Sequence, residues 1–184
     1  MMSAKANGAV LYRLLVFTLV VCAYGSIAHA NPASFSKKLP SLIKGPSDQI
    51  TDKVSGFYTA KSKGYYSHIY IVLDGTNLTA VYEYKEDGKK QRGYFVGVYQ
   101  PNNGYAEGAV CYEDTAEWLG KGGIAFYEAK GKTKLKIFYT ETNNASDNDW
   151  KNDWGHTKTS KHSKLETLRQ RYMSARIRCE ASSA

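Results

Sequence analysis

The densest group of chemically useful side chains in this chain lies in one run, ASDNDWKNDWGHTKTSKH, from Ala145 to His162. It holds Trp150, Trp154, His156, His162 and three aspartates, and almost nothing that could build a core. Trp150 and Trp154 are four apart, a spacing that puts both rings on one face of a helical turn. Paired rings of this kind suit recognition of a protein or a sugar, because each offers a large rigid apolar area and a polar N–H. Their other use is to cap the open end of a barrel. Asp147, Asp149 and Asp153 occupy the first, third and seventh places of a calcium-loop pattern. Asn152 and Lys158 stand where that loop requires a glycine and a bidentate glutamate, so no metal site is expected. His156 and His162, six apart, do not have a zinc-ligand spacing either.

Catalysis has little to work with. The chain contains no G-x-S-x-G, no H-E-x-x-H and no phosphate-binding glycine loop. A small hydrolase would have to pair His156 with Glu107, Glu113, Glu117 or Glu128, and no spacing selects one of them. No catalytic residue and no cofactor is assigned.

A second chemical feature is charge. Residues 158–184 carry seven bases against two acids, whereas residues 31–157 carry 16 against 15. Arg169, Arg171, Arg176 and Arg178 form either a solvated face or a patch that steers the protein toward an anionic partner. The near-neutral body argues against nucleic acid, whose binding needs many phosphate-neutralising contacts. Trp150, Trp154, His156, Arg169 and Arg171 are the expected partner-binding residues.

These residues must be carried by elements, and the first element is an address. Lys5 and Arg13 precede the apolar run Leu14 to Tyr24, and Ala28-His29-Ala30 follows. A basic flank, a short apolar stretch and an A-x-A site predict a secretory signal peptide cleaved after Ala30, giving a secreted or periplasmic product of 154 residues. No later run is long enough to span a bilayer. Cys111 and Cys179 then remain, and in an oxidising compartment the pair predicts one disulfide, stabilising by about 4 kcal/mol.

Residues 31–53, interrupted by Pro32, Pro40 and Pro46, predict an arm with at most one helical turn. From Val54 the texture changes. Seven tyrosine-rich and β-branched runs begin at 54, 68, 78, 94, 105, 123 and 135, separated by turn chemistry such as Asp74-Gly75, Asp87-Gly88 and Lys130-Gly131. Seven short-linked strands predict an antiparallel meander, which removes its sticky edges by closing. Ser163 and Glu166 match a capping box, and Leu165, Leu168, Tyr172 and Ala175 recur at helical spacing, predicting a helix from about 164 to 175. The alternation of Ala175, Ile177 and Cys179 predicts a closing strand at about 175–180.

The fold class is thus mainly antiparallel all-β: a barrel or barrel-like sandwich of seven or eight strands in one domain, 54–184, with a short C-terminal helix. This plan resembles the calycins, the lipocalin and avidin type of barrel, and Gly56-Phe57-Tyr58 is similar to the lipocalins' Gly-x-Trp opening. The leading functional expectation is a non-catalytic binding protein, an inhibitor or immunity-type factor engaging a protein or envelope polymer. The alternative is a carrier holding a small apolar ligand among tyrosines such as Tyr70, Tyr82, Tyr94 and Tyr127. The second alternative is the hydrolase.

Overall fold

The computed structural model describes Leu39, residues 41–113, 118–140, 151–152 and 155–174. The stretch expected as a signal peptide, Trp150, Trp154, Cys179 and the stretch expected as a closing strand lie outside those residues.

Seven strands follow one another as a meander: β1 (Gly56–Ser62), β2 (Tyr65–Asp74), β3 (Asn77–Glu86), β4 (Lys89–Gln100), β5 (Tyr105–Tyr112), β6 (Trp118–Ala129) and β7 (Lys132–Thr140). Each pairs antiparallel with the next. At Asp87-Gly88 and Lys130-Gly131 both turn residues have positive φ, the backbone that a two-residue hairpin of matching twist requires.

The eighth stave comes from within the polar run 145–162. β8 (Lys151–Asn152) pairs with the C-terminal half of β7, through Phe138↔Asn152 and Tyr139↔Lys151. β9 (His156–Lys158) pairs with its N-terminal half and also with β1, through Tyr58↔Lys158 and Thr59↔Thr157. The sheet therefore closes on itself as an eight-stave barrel before the chain reaches its C-terminal helix. A barrel, not a sandwich, is the outcome. Lys151 and Asn152, between the two tryptophan positions, are strand.

The arm does more than was expected of it. Helix α1 (Ser47–Val54) makes over two turns and buries Ile50 and Val54, four apart on one face. Ahead of it, Leu42 bridges Tyr127, and the Ile43 amide donates to the Phe126 carbonyl at 2.8 Å. The chain thereby crosses one end of the barrel and closes it. Beneath it lie Tyr58, Leu73, Leu78, Tyr99, Phe126 and Leu135, a core with almost no solvent exposure. Two buried phenols are satisfied by the plug itself: Tyr58 donates to the Val54 carbonyl at 2.7 Å and Tyr99 to the Ile43 carbonyl at 2.9 Å. Lys158, from the inner face of β9, donates to the carbonyls of Asp52 and Lys53 at 2.7 and 2.9 Å. It thus satisfies acceptors that the end of α1 would leave unpaired.

Helix α2 (Leu165–Ser174) lies outside the barrel on β2 and β3. Leu168 is buried among Phe57, Val81 and Tyr94, all on outward faces. Its start is capped by His162, whose carbonyl accepts from the Leu165 amide and whose Nδ1 accepts from the Lys164 amide, each at 3.1 Å. Glu166, the expected capping-box acid, instead accepts from Gln170 at 3.2 Å and faces Arg169. No helix among the described residues is long and apolar enough to cross a membrane.

Candidate functional site

Among the described residues, no element crosses the end opposite α1. Here the hairpin β1–β2, the hairpin β3–β4 and the ends of β5 and β7 surround a cavity of about 360 Å³ inside the barrel. That volume falls within the roughly 300–1,000 Å³ typical of small-molecule sites. Strand parity decides what lines it. On β2, Tyr65, Ser67 and Ile69 point inward; on β3, Ala80, Tyr82, Tyr84 and Glu86 do; on the facing wall, Ile124, Ile137 and Tyr139 do. Register orders them by depth. Tyr65 stands opposite Glu86 near the rim, Ser67 opposite Tyr84, and Ile69 opposite Tyr82 further down. Phe95, Ile124 and Ile137 make an apolar floor.

Six aromatic rings contribute to the lining: Tyr65, Tyr82, Tyr84, Phe95, Tyr112 and Tyr139, from five different strands. Tyr82 and Tyr84 lie nearly parallel with centroids 6.2 Å apart, and Tyr65 sits 6.4 Å from Tyr84. Space for them is made by glycine. Gly93 stands between Tyr82 and Tyr112 in one cross-strand row, and a Cβ there would collide with the Tyr82 hydroxyl and with the Cys111 carbonyl. Gly97 plays the same part beneath Phe95, whose ring edge would lie 2.7 Å from an added Cβ. Burial, followed by the neighbouring Tyr84 and Tyr112, pushes the Tyr82 phenol well above its ordinary range, so it stays a neutral donor at physiological pH.

The residues expected to bind a partner are dispersed. His156 shares the inner face with Leu135 and is completely buried, so it cannot meet a macromolecule at the surface. It is not among the residues lining the cavity. Arg171 is a clamp. Its Nε and Nη2 donate to the two Glu113 carboxylate oxygens at 3.1 and 2.6 Å, and Nη2 also reaches the Tyr82 carbonyl at 3.4 Å. With Tyr172 hydrogen-bonded to Thr79 at 2.6 Å, this holds α2 to the wall. Arg169 is exposed beside Glu166. Trp150 and Trp154 lie outside the described residues, although Thr140, which precedes their segment, lines the open mouth. Of the four tyrosines expected inside, only Tyr82 lines the cavity. Tyr70 packs edge-on against Tyr172 and Tyr94 lies under Leu168, because their strand parity turns them outward. Tyr127 faces the arm at Leu42.

The same outer wall carries a buried carboxylate. Glu83 lies 3.1 Å from Lys90, 3.4 Å from His68 Nδ1 and 3.8 Å from both Arg92 and Arg171. Burial would raise its pKa, but Lys90 and His68 outweigh that and hold it below the usual glutamate range. The cluster fastens helix to sheet.

Fold and site together define a closed β-barrel sealed at one end and cupped at the other. No family model, curated protein or solved structure matches the chain.

Proposed function

We propose that this chain is an exported, non-catalytic binding protein that holds a small ligand in the aromatic cup. The observation that carries this reading is the cavity itself: about 360 Å³, crossed by no described element at its mouth, apolar at its floor and lined by phenols above. Ligand sites of barrels have this form, with apolar walls and a few polar groups that orient the guest. The hydrolase reading has no comparable support, since its expected base, His156, lies outside the cup lining. A macromolecular partner is less favoured, because His156 is internal and Arg171 is engaged by Glu113.

Export rests on the basic, apolar and A-x-A pattern of residues 1–30. The disulfide between Cys111 and Cys179 belongs to the same reading. Cys111 is completely buried on the outward side of β5, two residues from Glu113, which anchors the last turn of α2. The five residues from Ser174 to Cys179 can reach at most roughly 17 Å.

Native mass spectrometry of protein isolated from its own host tests the proposal. The expected result is a bound small molecule that is lost in the variant Ser67→Trp, which fills the cup, while far-UV circular dichroism is unchanged. Wild-type protein that emerges empty, and takes up an apolar dye no better than the filled variant, would overturn it.

A further inference from the structure

We propose that the guest of the cup is an uncharged, mainly apolar molecule bearing a carbonyl oxygen, received by the hydroxyls of Tyr82 and Ser67. The inference rests on the cup being a ligand site. It goes on to name the chemistry of the guest and the two side chains that select it.

Charge is the first discriminator. The mouth carries both signs: Glu86 and Asp87 against Lys63 and Lys89, all exposed, with Lys121 half-buried among the lining groups. Lys121 already has a partner within the protein. Exposed charges of opposite sign are screened by salt and by one another, so the mouth selects neither an anion nor a cation. Below it the cup is lined by Ile69, Ala80, Phe95, Val110, Ile124 and Ile137. An ion brought among them would give up its water and meet no opposite charge. The body of the guest is therefore uncharged and apolar.

An apolar wall alone would take a hydrocarbon, but two hydroxyls in this wall call for more. Tyr65, Tyr84, Tyr139 and Thr140 each already have a partner within the protein, so a guest cannot rely on them. Gln91 and Tyr112 stand at the mouth, where water can serve them. Ser67 and Tyr82 differ from both groups. Each lines the cup, and neither side-chain hydroxyl has a hydrogen-bond partner among the described residues. Ser67 is only 3% exposed, so its hydroxyl is cut off from bulk water. Burial, followed by the neighbouring Tyr84 and Tyr112, keeps the Tyr82 phenol protonated and hence a donor. Its oxygen lies over Gly93, in room that exists only because residue 93 has no side chain. Ser67 stands opposite Tyr84 and Tyr82 opposite Ile69, which makes the two diagonal neighbours on one wall. Unpaired hydroxyls in an apolar cavity are unfavourable, and a guest that pairs them gains what a hydrocarbon forfeits. A carbonyl suits them, since it accepts from an O–H and brings no donor that would need a partner of its own.

The test is equilibrium dialysis of the full exported chain against three probes of nearly one shape. They are methyl naphthyl ketone, its isopropenyl analogue, in which a methylene replaces the carbonyl oxygen, and naphthoate, in which an anionic oxygen replaces the methyl. The ketone should bind roughly three- to tenfold tighter than the isopropenyl analogue, the net worth of one hydrogen bond. It should bind at least about tenfold tighter than the carboxylate, which must be desolvated without a counter-charge. Tyr82→Phe removes only the oxygen and should bring the ketone-to-isopropenyl ratio to within about twofold. Ser67→Ala should lower the same ratio by a smaller factor. Two separate variants guard against one of them misfolding, which circular dichroism reports. A ratio unchanged in both variants, or tighter binding of the isopropenyl analogue or the carboxylate, would overturn the carbonyl assignment and leave the cup as a ligand site. If no probe binds, the assignment also falls, and the host-purified protein then decides whether the cup binds anything.

Discussion

The two ends of this barrel are built from the same strands and share the same taste for tyrosine, yet one is solid and the other hollow. At the sealed end, Tyr58 and Tyr99 are completed by the carbonyls of Val54 and Ile43, which the arm brings across the opening. At the mouth, Tyr112 and Tyr139 are more than a third exposed, and no described element crosses above them. Phenols at one end are structural because the chain supplies their acceptors. At the other end the rings are partly exposed beside the cavity. The difference lies in what covers the tyrosines, not in the tyrosines.

That contrast can be broken most decisively at Phe126, which is wholly buried between Tyr58 and Tyr99. Phe126→Ala should cost about 3–5 kcal/mol in urea unfolding, the usual range for emptying an aromatic site in a packed core. A loss below about 1 kcal/mol would show the sealed end to be loosely packed.

Alkaline titration sharpens the comparison further. Burial raises the phenols of Tyr58 and Tyr82 far above their ordinary value and pushes Tyr99 up to about 12. Each therefore holds its proton more tightly folded than unfolded. Their stabilising contribution is complete below the unfolded value of 10.0 and is lost as pH rises toward the folded values. Unfolding free energy should fall with pH above about 10. The double variant Tyr58→Phe/Tyr99→Phe should remove more of that slope than Tyr82→Phe. A larger effect from Tyr82 would invert the ranking of the two ends.

The smallest effect is expected at the rim. Tyr139→Ala should change stability by less than about 1 kcal/mol, as surface positions do. A loss approaching that of Phe126 would mean that the mouth is part of the core.

Much of this architecture was legible. Asp87-Gly88 and Lys130-Gly131 announced hairpins and became them, because few residues tolerate positive φ. Ile69, Ile71 and Leu73 share one face by simple alternation, and all three are buried. The eighth stave was hidden because its inward residues are polar. His156 and Lys158 face the barrel interior, where a strand pattern calls for apolar side chains. Lys158 is tolerated there only because the end of α1, more than 100 residues earlier, presents two carbonyls to it. The tyrosines of the cup were equally obscure. Tyr70, Tyr82 and Tyr94 look alike in sequence, and what separates them is parity relative to a closure that no local run reveals. One signal was present: Tyr65, Tyr84 and Glu86 lie within two or three residues of the Lys63-Gly64 and Asp87-Gly88 turns, at one end of the meander.

The amino-acid sequence alone determined the strand rhythm, the tight turns and the helix, since those depend on φ preferences and on side-chain periodicity within a few residues. Which end of the barrel is shut, which tyrosines face inward and whether Arg171 grips the wall or a partner depended on contacts between residues far apart in the chain. Closure brought α1 onto β9 and Arg171 onto Glu113, and only that long-range packing could separate a plug from a mouth.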